Sequence, residues 1–173
     1  MKSQTKHTNL ETAMKKSIAI LAILVLSLVL VQSGMAQTAT QTVNLNVNKV
    51  YRVAIVGGAV NLTVSTGTAG TDALTPATDA ATTYSVTQNN STSTHMTAQL
   101  DAAMAKGKLE INVAGGLGTG SGVQDITAGT AKTVVTAMAL GAASGASISY
   151  TFSANASDGL FSDTKTVTFT IVD

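Results

Sequence analysis

No cysteine occurs anywhere in the 173 residues. That excludes disulfides, a lipid-modified cysteine behind a leader and thiolate metal sites. Small exported domains often lean on disulfides, so this chain must hold together by core packing and sheet pairing alone. Tryptophan is absent and aromatics make up only 3% of the chain. Tyr51, Tyr84, Tyr150, Phe152 and Phe169 all fall on alternation parities that point inward. Only Phe161, beside Leu160 in SDGLFSD, is left as an exposed aromatic for sugar contact, and packing against the core is the simpler role for it. Charged residues are scarce at 11%, yet apolar residues reach 45% and net charge is small. Disorder requires the opposite balance. Pro76 is the only proline.

Long apolar runs are also missing, with one exception. Ile18 to Val31 reads IAILAILVLSLVLV, with Lys15-Lys16 in front and Gly34-Met35-Ala36 behind. A spanning helix needs roughly 20 apolar residues, whereas the apolar centre of a secretory signal needs about 7–15. The 14-residue run therefore predicts a Sec signal over residues 1–36, cleaved after Ala36 to leave Gln37. An uncleaved N-terminal anchor is the competing reading. Met14 opens a complete signal by itself (MKKSIAILAIL), so the true start is expected there, with 1–13 an upstream extension.

Cleavage would reverse the charge. The precursor carries +1, but residues 37–173 hold six basic residues against eight acidic ones, a net −2. No basic stripe survives, which argues against a nucleic-acid partner. Residues 37–173 suit one domain, with no membrane span expected in it.

The mature chain alternates apolar and polar residues, the period-2 signature of strands. Val43, Leu45, Val47, Tyr51, Val53 and Ile55 share one parity, with Lys49 interrupting. Two strands, or one bent strand, are expected there. A turn at Gly57-Gly58 and a hairpin partner at Val60, Leu62 and Val64 should follow. Residues 66–82 read as a loop. Further strands are predicted over Thr83–Gln88, Thr94–Leu100, Lys108–Val113 and Lys132–Met138, the last with Val134, Thr136 and Met138 inward. A turn at Asn89-Asn90-Ser91-Thr92 separates the first two of these, and 140–145 is turn-like. Ala146 to Ala154 and Val167 to Ile171 alternate most cleanly. The sum is an all-β protein, an antiparallel immunoglobulin-like sandwich of about eight or nine strands preceded by a cleaved signal helix.

The layout resembles a loose group of exported bacterial β-sandwich proteins. The signal ending in MAQ and the first strand QTVNLNVNKV are similar to those of uncharacterised secreted proteins of Bacteroidetes-like bacteria. The closing strand, Thr164 to Val172 (TKTVTFTIV), resembles that of surface-layer and pilin-like immunoglobulin-fold modules. The resemblance covers Met14 to Asp173 in outline. It implies a structural role on the surface or outside the cell and carries over no functional residue.

Motifs for chemistry are weak. His95 is the only histidine of the mature chain, lies on the parity opposite Met96 and should face solvent; no G-x-S-x-G elbow places a serine for it. GLGTGSG at Gly116–Gly122 fits no dinucleotide fingerprint in any register and reads as a flexible loop. Asn155, Asp158 and Asp163 around Gly159 offer oxygen ligands for Ca²⁺, but their spacing is that of a turn rather than an EF-hand. No catalytic, cofactor-binding or metal residue is assigned, and the protein is not expected to be an enzyme.

The sharpest functional signal is the segment Thr40–Asn48, a strand pattern next to the mature terminus. It could complete a neighbour's sheet edge or be the first strand of its own domain. The expected function is a secreted or cell-surface structural or adhesive protein, self-associating by strand addition. The periplasm is the alternative location. The alternative function is a module binding a glycan or a surface protein through loops 66–82, 115–130 and 155–164.

Overall fold

The computed structural model describes residues 14–16, 38–90 and 93–173. The signal run Ile18–Val31, the cleavage point after Ala36 and the Ser91-Thr92 part of a turn lie outside them. Contacts divide the chain into two units, 1–46 and 47–173. Among the described residues all the strands lie in the second. Among the described residues no helix is long and apolar enough to cross a membrane.

Among the described residues nine strands follow one another: β1 (Tyr51–Val56), β2 (Ala77–Gln88), β3 (Thr94–Leu100), β4 (Lys108–Val113), β5 (Thr119–Gly120), β6 (Val123–Asp125), β7 (Lys132–Met138), β8 (Gly141–Ser153) and β9 (Val167–Val172). They form a five-stranded sheet, β1-β2-β8-β4-β6, and a four-stranded sheet, β5-β7-β3-β9. Every pairing is antiparallel. The first sheet contributes Tyr84, Val86, Leu109, Ile111, Val113, Ile148 and Tyr150 to a single buried cluster, and the second contributes Met96, Ala98, Leu100, Val134, Val135 and Met138. One core shared by two sheets makes the fold a sandwich.

Alternation explains the best-formed strands. β3, β4 and β7 occupy the residues their patterns predict, and in β3 and β4 every second side chain is buried. The differences have physical causes. Gly57-Gly58 does not close a hairpin: β1 pairs with β2, Tyr51 opposite Gln88 and Val56 opposite Thr83. Val60, Leu62 and Val64 do alternate and are half-buried, but they form no strand ladder. β2 begins at Ala77 rather than Thr83, because a register shift between Asp79 and Thr82 breaks its period. β8 begins at Gly141, where small side chains leave no alternation to read. In β7 Val134 and Val135 are both buried, while Thr136 points outward, contrary to expectation. Register shifts against β3 and a positive φ of 50° at Ala137 mark the bulge that causes this.

Two buried polar groups stitch the fold without a covalent link, Gln88 between the sheets and Tyr84 within the larger one. Gln88, 1% exposed, closes β2 and donates through Nε2 to the carbonyls of Met138 (2.9 Å) and Ala139 at the end of β7. Its Oε1 accepts the Asn90 amide at 3.0 Å. The Tyr84 hydroxyl donates to the Ala114 carbonyl at 2.7 Å.

Candidate functional site

The site is built where the chain enters the domain. Residues 38–50 belong to no strand of the structure. Their alternation is intact, yet the apolar members face solvent: Val43 is 66% exposed, Leu45 89% and Val47 83%. The first strand expected over Thr40–Asn48 is therefore not part of the described sheets. Strand order begins at Tyr51.

A polar clasp sets that boundary. The Lys49 ammonium donates to the carboxylate of Asp173, just past the end of β9, and the Tyr51 hydroxyl donates to the same carboxylate. Asn90 Nδ2 reaches both the Tyr51 hydroxyl (2.6 Å) and Asp173 Oδ1 (3.1 Å). Next to it, Asn89 donates to the Asn48 carbonyl at 2.8 Å and accepts the Val50 amide at 2.7 Å. The hydrogen bond from Lys49, reinforced by the one from Tyr51, holds the Asp173 carboxyl below its ordinary value of 3.8. The same bond holds the Lys49 amine above 10.5. In the sequence, Lys49 stood out only as the charge that interrupts an apolar parity. The clasp gives that interruption its reason: the chain changes here from a solvent-facing segment to β1.

The four sheet edges are unequal. β5 and β6 have two and three residues, short edges that offer little template for another strand. β1 and β9 have six residues each. In β9 Val167, Phe169 and Ile171 are half-buried against the core along the whole strand, while Thr168 and Thr170 are exposed. In β1 the inward pattern ends at Val53, and Ala54, Ile55 and Val56 are all exposed. Beyond the β3–β9 ladder, no backbone hydrogen bond among the described residues engages Val167–Val172.

The motifs weighed for chemistry occupy separate places. His95 is half-buried on β3, opposite Val172 in the ladder, on the face away from Met96. None of the side-chain hydrogen bonds of the described residues joins it to a serine or an acid. Gly115–Gly122 is not a flexible loop. It carries β5, which pairs Thr119 with Thr136 and Gly120 with Val135 of β7. A Cβ on Gly118 would lie 2.2 Å from the Thr136 carbonyl oxygen, and one on Gly115 would lie 2.1 Å from that of Gly118. These glycines allow backbones to touch rather than the loop to move.

Asn155 precedes a 3-10 turn at Ala156–Asp158, and its amide donates to Asp158 Oδ2 at 2.9 Å. Asp163 instead accepts the Thr164 amide (2.8 Å) and pairs with Lys165 (3.2 Å). Asp72, unnoticed in the sequence, binds Ser157 through both its oxygens, at 2.9 Å from the amide and 2.8 Å from the hydroxyl. Among the described residues, no three acidic or histidine side chains cluster to hold a metal ion. Phe161 packs edge-on against Phe152 at 6.0 Å, with the Lys106 ammonium 5.8 Å from its ring centre, while Leu160 stands fully in solvent. Compared with known proteins, the chain matches no family model, no curated protein and no solved structure.

Proposed function

We propose that the protein is an exported structural subunit of a bacterial cell surface or extracellular matrix, which associates with copies of itself through its N-terminal segment. One observation carries this reading. The segment 40–48 has the alternation of a half-buried strand, yet nine strands build both sheets without it and its three apolar side chains face water. Burying one such side chain contributes about 1.5–3 kcal/mol, so three supply a driving force of several kcal/mol for contact with another surface. Backbone pairing along a sheet edge gives that contact direction.

The test is sedimentation of the exported protein across a concentration series. Wild type is expected to form multimers, and deletion of residues 37–48 to give a folded monomer with an unchanged melting temperature. The substitution Leu45→Asp should have the same effect, since it would place a charge in the contact. Wild type that stays monomeric at every concentration would overturn the reading. Export itself is checked by N-terminal sequencing of the protein recovered outside the cytoplasm, where the expected first residue is Gln37.

A second reading rests on the tip of loop 155–164. Leu160, with Phe161 and Lys106 beside it, is an exposed apolar and cationic pair of contacts, suited to a glycan or a surface protein. Glycan-array binding by the monomeric deletion variant, lost on Leu160→Ser with Phe161→Ser, would favour it.

A further inference from the structure

The segment 40–48 needs an acceptor, and the domain offers unequal choices. Edges β5 and β6 are too short to carry a nine-residue partner. On β1, a partner strand would run past Val53 into a stretch whose residues all face solvent. β9 keeps one apolar, half-buried face throughout, and its outer edge makes no backbone hydrogen bond among the described residues.

The two patterns fit each other. Val43, Leu45 and Val47 repeat at the same period as Val167, Phe169 and Ile171. When two strands pair in register, side chains of one parity share one face. Apolar residues would then lie beside apolar residues toward the core, and Asn44 and Asn46 beside the threonines on the outer face.

Direction decides which copy supplies the strand. Lys49 is bound to Asp173, and the Asn48 carbonyl to Asn89, so the segment joins its own domain at the Asp173 end of β9. Folded back along its own β9, it would run toward that end, as β9 does, and the pair would be parallel. An antiparallel partner must end at Val167, six residues or about 20 Å away at 3.3 Å per residue. A segment tied at Asn48 cannot reach there from its own chain, but one from a second copy can. Every ladder in the domain is antiparallel, and antiparallel pairing is the slightly more stable kind per residue.

Building on the self-association reading above, we propose that the open edge of β9 is the acceptor for the segment 40–48 of a second copy, which adds antiparallel with Val43, Leu45 and Val47 beside Ile171, Phe169 and Val167. The contact is head-to-tail. Each copy offers one donor segment and one acceptor edge, so addition can continue along a fibre. The clasp at Lys49 and Asp173 is the part that denies the donor an antiparallel register on its own edge.

Because the chain has no cysteine, disulfide trapping reads this register directly. Opposed Cα atoms in an antiparallel pair lie about 4.5–5.5 Å apart, within the range of about 4.4–6.8 Å that a disulfide spans. The exported full chain carrying Asn44→Cys and Thr170→Cys tests the antiparallel register between copies. Asn44→Cys with Thr168→Cys tests the parallel fold-back. All three positions point outward on the proposed strand pair, so the core is left alone. Under mild oxidation the first pair is expected to give covalent dimers and higher multimers on non-reducing gels, and the second pair to give none. A covalent monomer from the second pair would overturn the proposal in favour of self-pairing. Multimers that form normally while neither pair cross-links would overturn β9 as acceptor but leave the donor role standing. Wild type that never associates would overturn both.

Discussion

Gln88 does at the residue scale what a disulfide does in many exported domains: it fixes one sheet to the other. Its side chain is buried and its amide bonds run to the end of β7. Replacing it by Leu removes those bonds, including the one from the Asn90 amide, at a site closed to water. Each buried polar group left unpaired costs about 1–3 kcal/mol. Gln88→Leu is therefore expected to destabilise by at least about 2 kcal/mol in chemical denaturation, with the slope of the transition unchanged. Gly118 makes a second residue-scale case. Its missing Cβ lets the Thr136 carbonyl approach to where a methyl would sit, so Gly118→Ala should cost about 1–3 kcal/mol. At Gly58 an added Cβ meets nothing within 4 Å, and Gly58→Ala should fall within about 0.5 kcal/mol of wild type.

The clasp yields a pH prediction with a definite sign. The lowered Asp173 pKa makes its contribution present above 3.8 and lost as pH falls through the lower folded value. The raised Lys49 pKa makes its contribution present below 10.5 and lost as pH rises through the higher folded value. The clasp is thus expected to hold across the whole neutral range and to open in strong acid or strong base. NMR titration of the Asp173 carboxyl should show a midpoint below 3.8 that moves up toward it in Lys49→Ala. An unmoved midpoint would mean that Lys49 is not the partner that matters.

At the scale of elements, β3, β4 and β9 were legible because their side chains alternate without interruption, and a sandwich core enforces that period. Legibility failed where another constraint set the backbone. Ala142, Ala143 and Ala146 pair in β8 with side chains too small to signal a face. Thr119-Gly120 pairs with β7 where Gly118, just before it, lets the backbones approach, and no propensity announces that. The bulge in β7 reversed the facing of Thr136. Of the site, the donor segment was readable as a strand pattern, but its exposure was not, since alternation says how residues would face and not whether a partner is present. The clasp was visible only as one misplaced lysine. These differences between elements are measurable. β2 and β8 run 12 and 13 residues through the middle of the larger sheet, so their amides should exchange slowest with solvent, and those of β5 and β6 fastest among the strands. In dilute protein the amides of 40–47 should exchange faster than any strand, and should become protected at concentrations that sediment as multimers. Equal exchange at both concentrations would remove the segment from the contact.

The molecule as a whole is nearly uncharged, and this separates two ways it could assemble. Residues 37–173 carry a net −2. Neither end of the proposed contact is rich in charge: the segment 40–48 has none, and β9 has none. Copies of one chain always share the sign of their net charge, so any long-range electrostatic effect on self-association is repulsive, and here it is weak. Salt acts by screening, with a Debye length of about 10 Å at 0.1 M that shortens as salt is added. An assembly driven by charge complementarity would weaken steeply over that range. One driven by apolar burial and backbone pairing would not, because neither term depends on long-range charge. The association constant is therefore expected to change by less than about threefold between roughly 0.05 M and 0.5 M salt, with any drift toward tighter association at the high end. Sedimentation equilibrium at the two salt concentrations, on wild type and on Leu45→Asp, measures it. A loss of tenfold or more in wild type would show that charged groups outside 40–48 and β9 carry the contact, and would transfer attention to the loops.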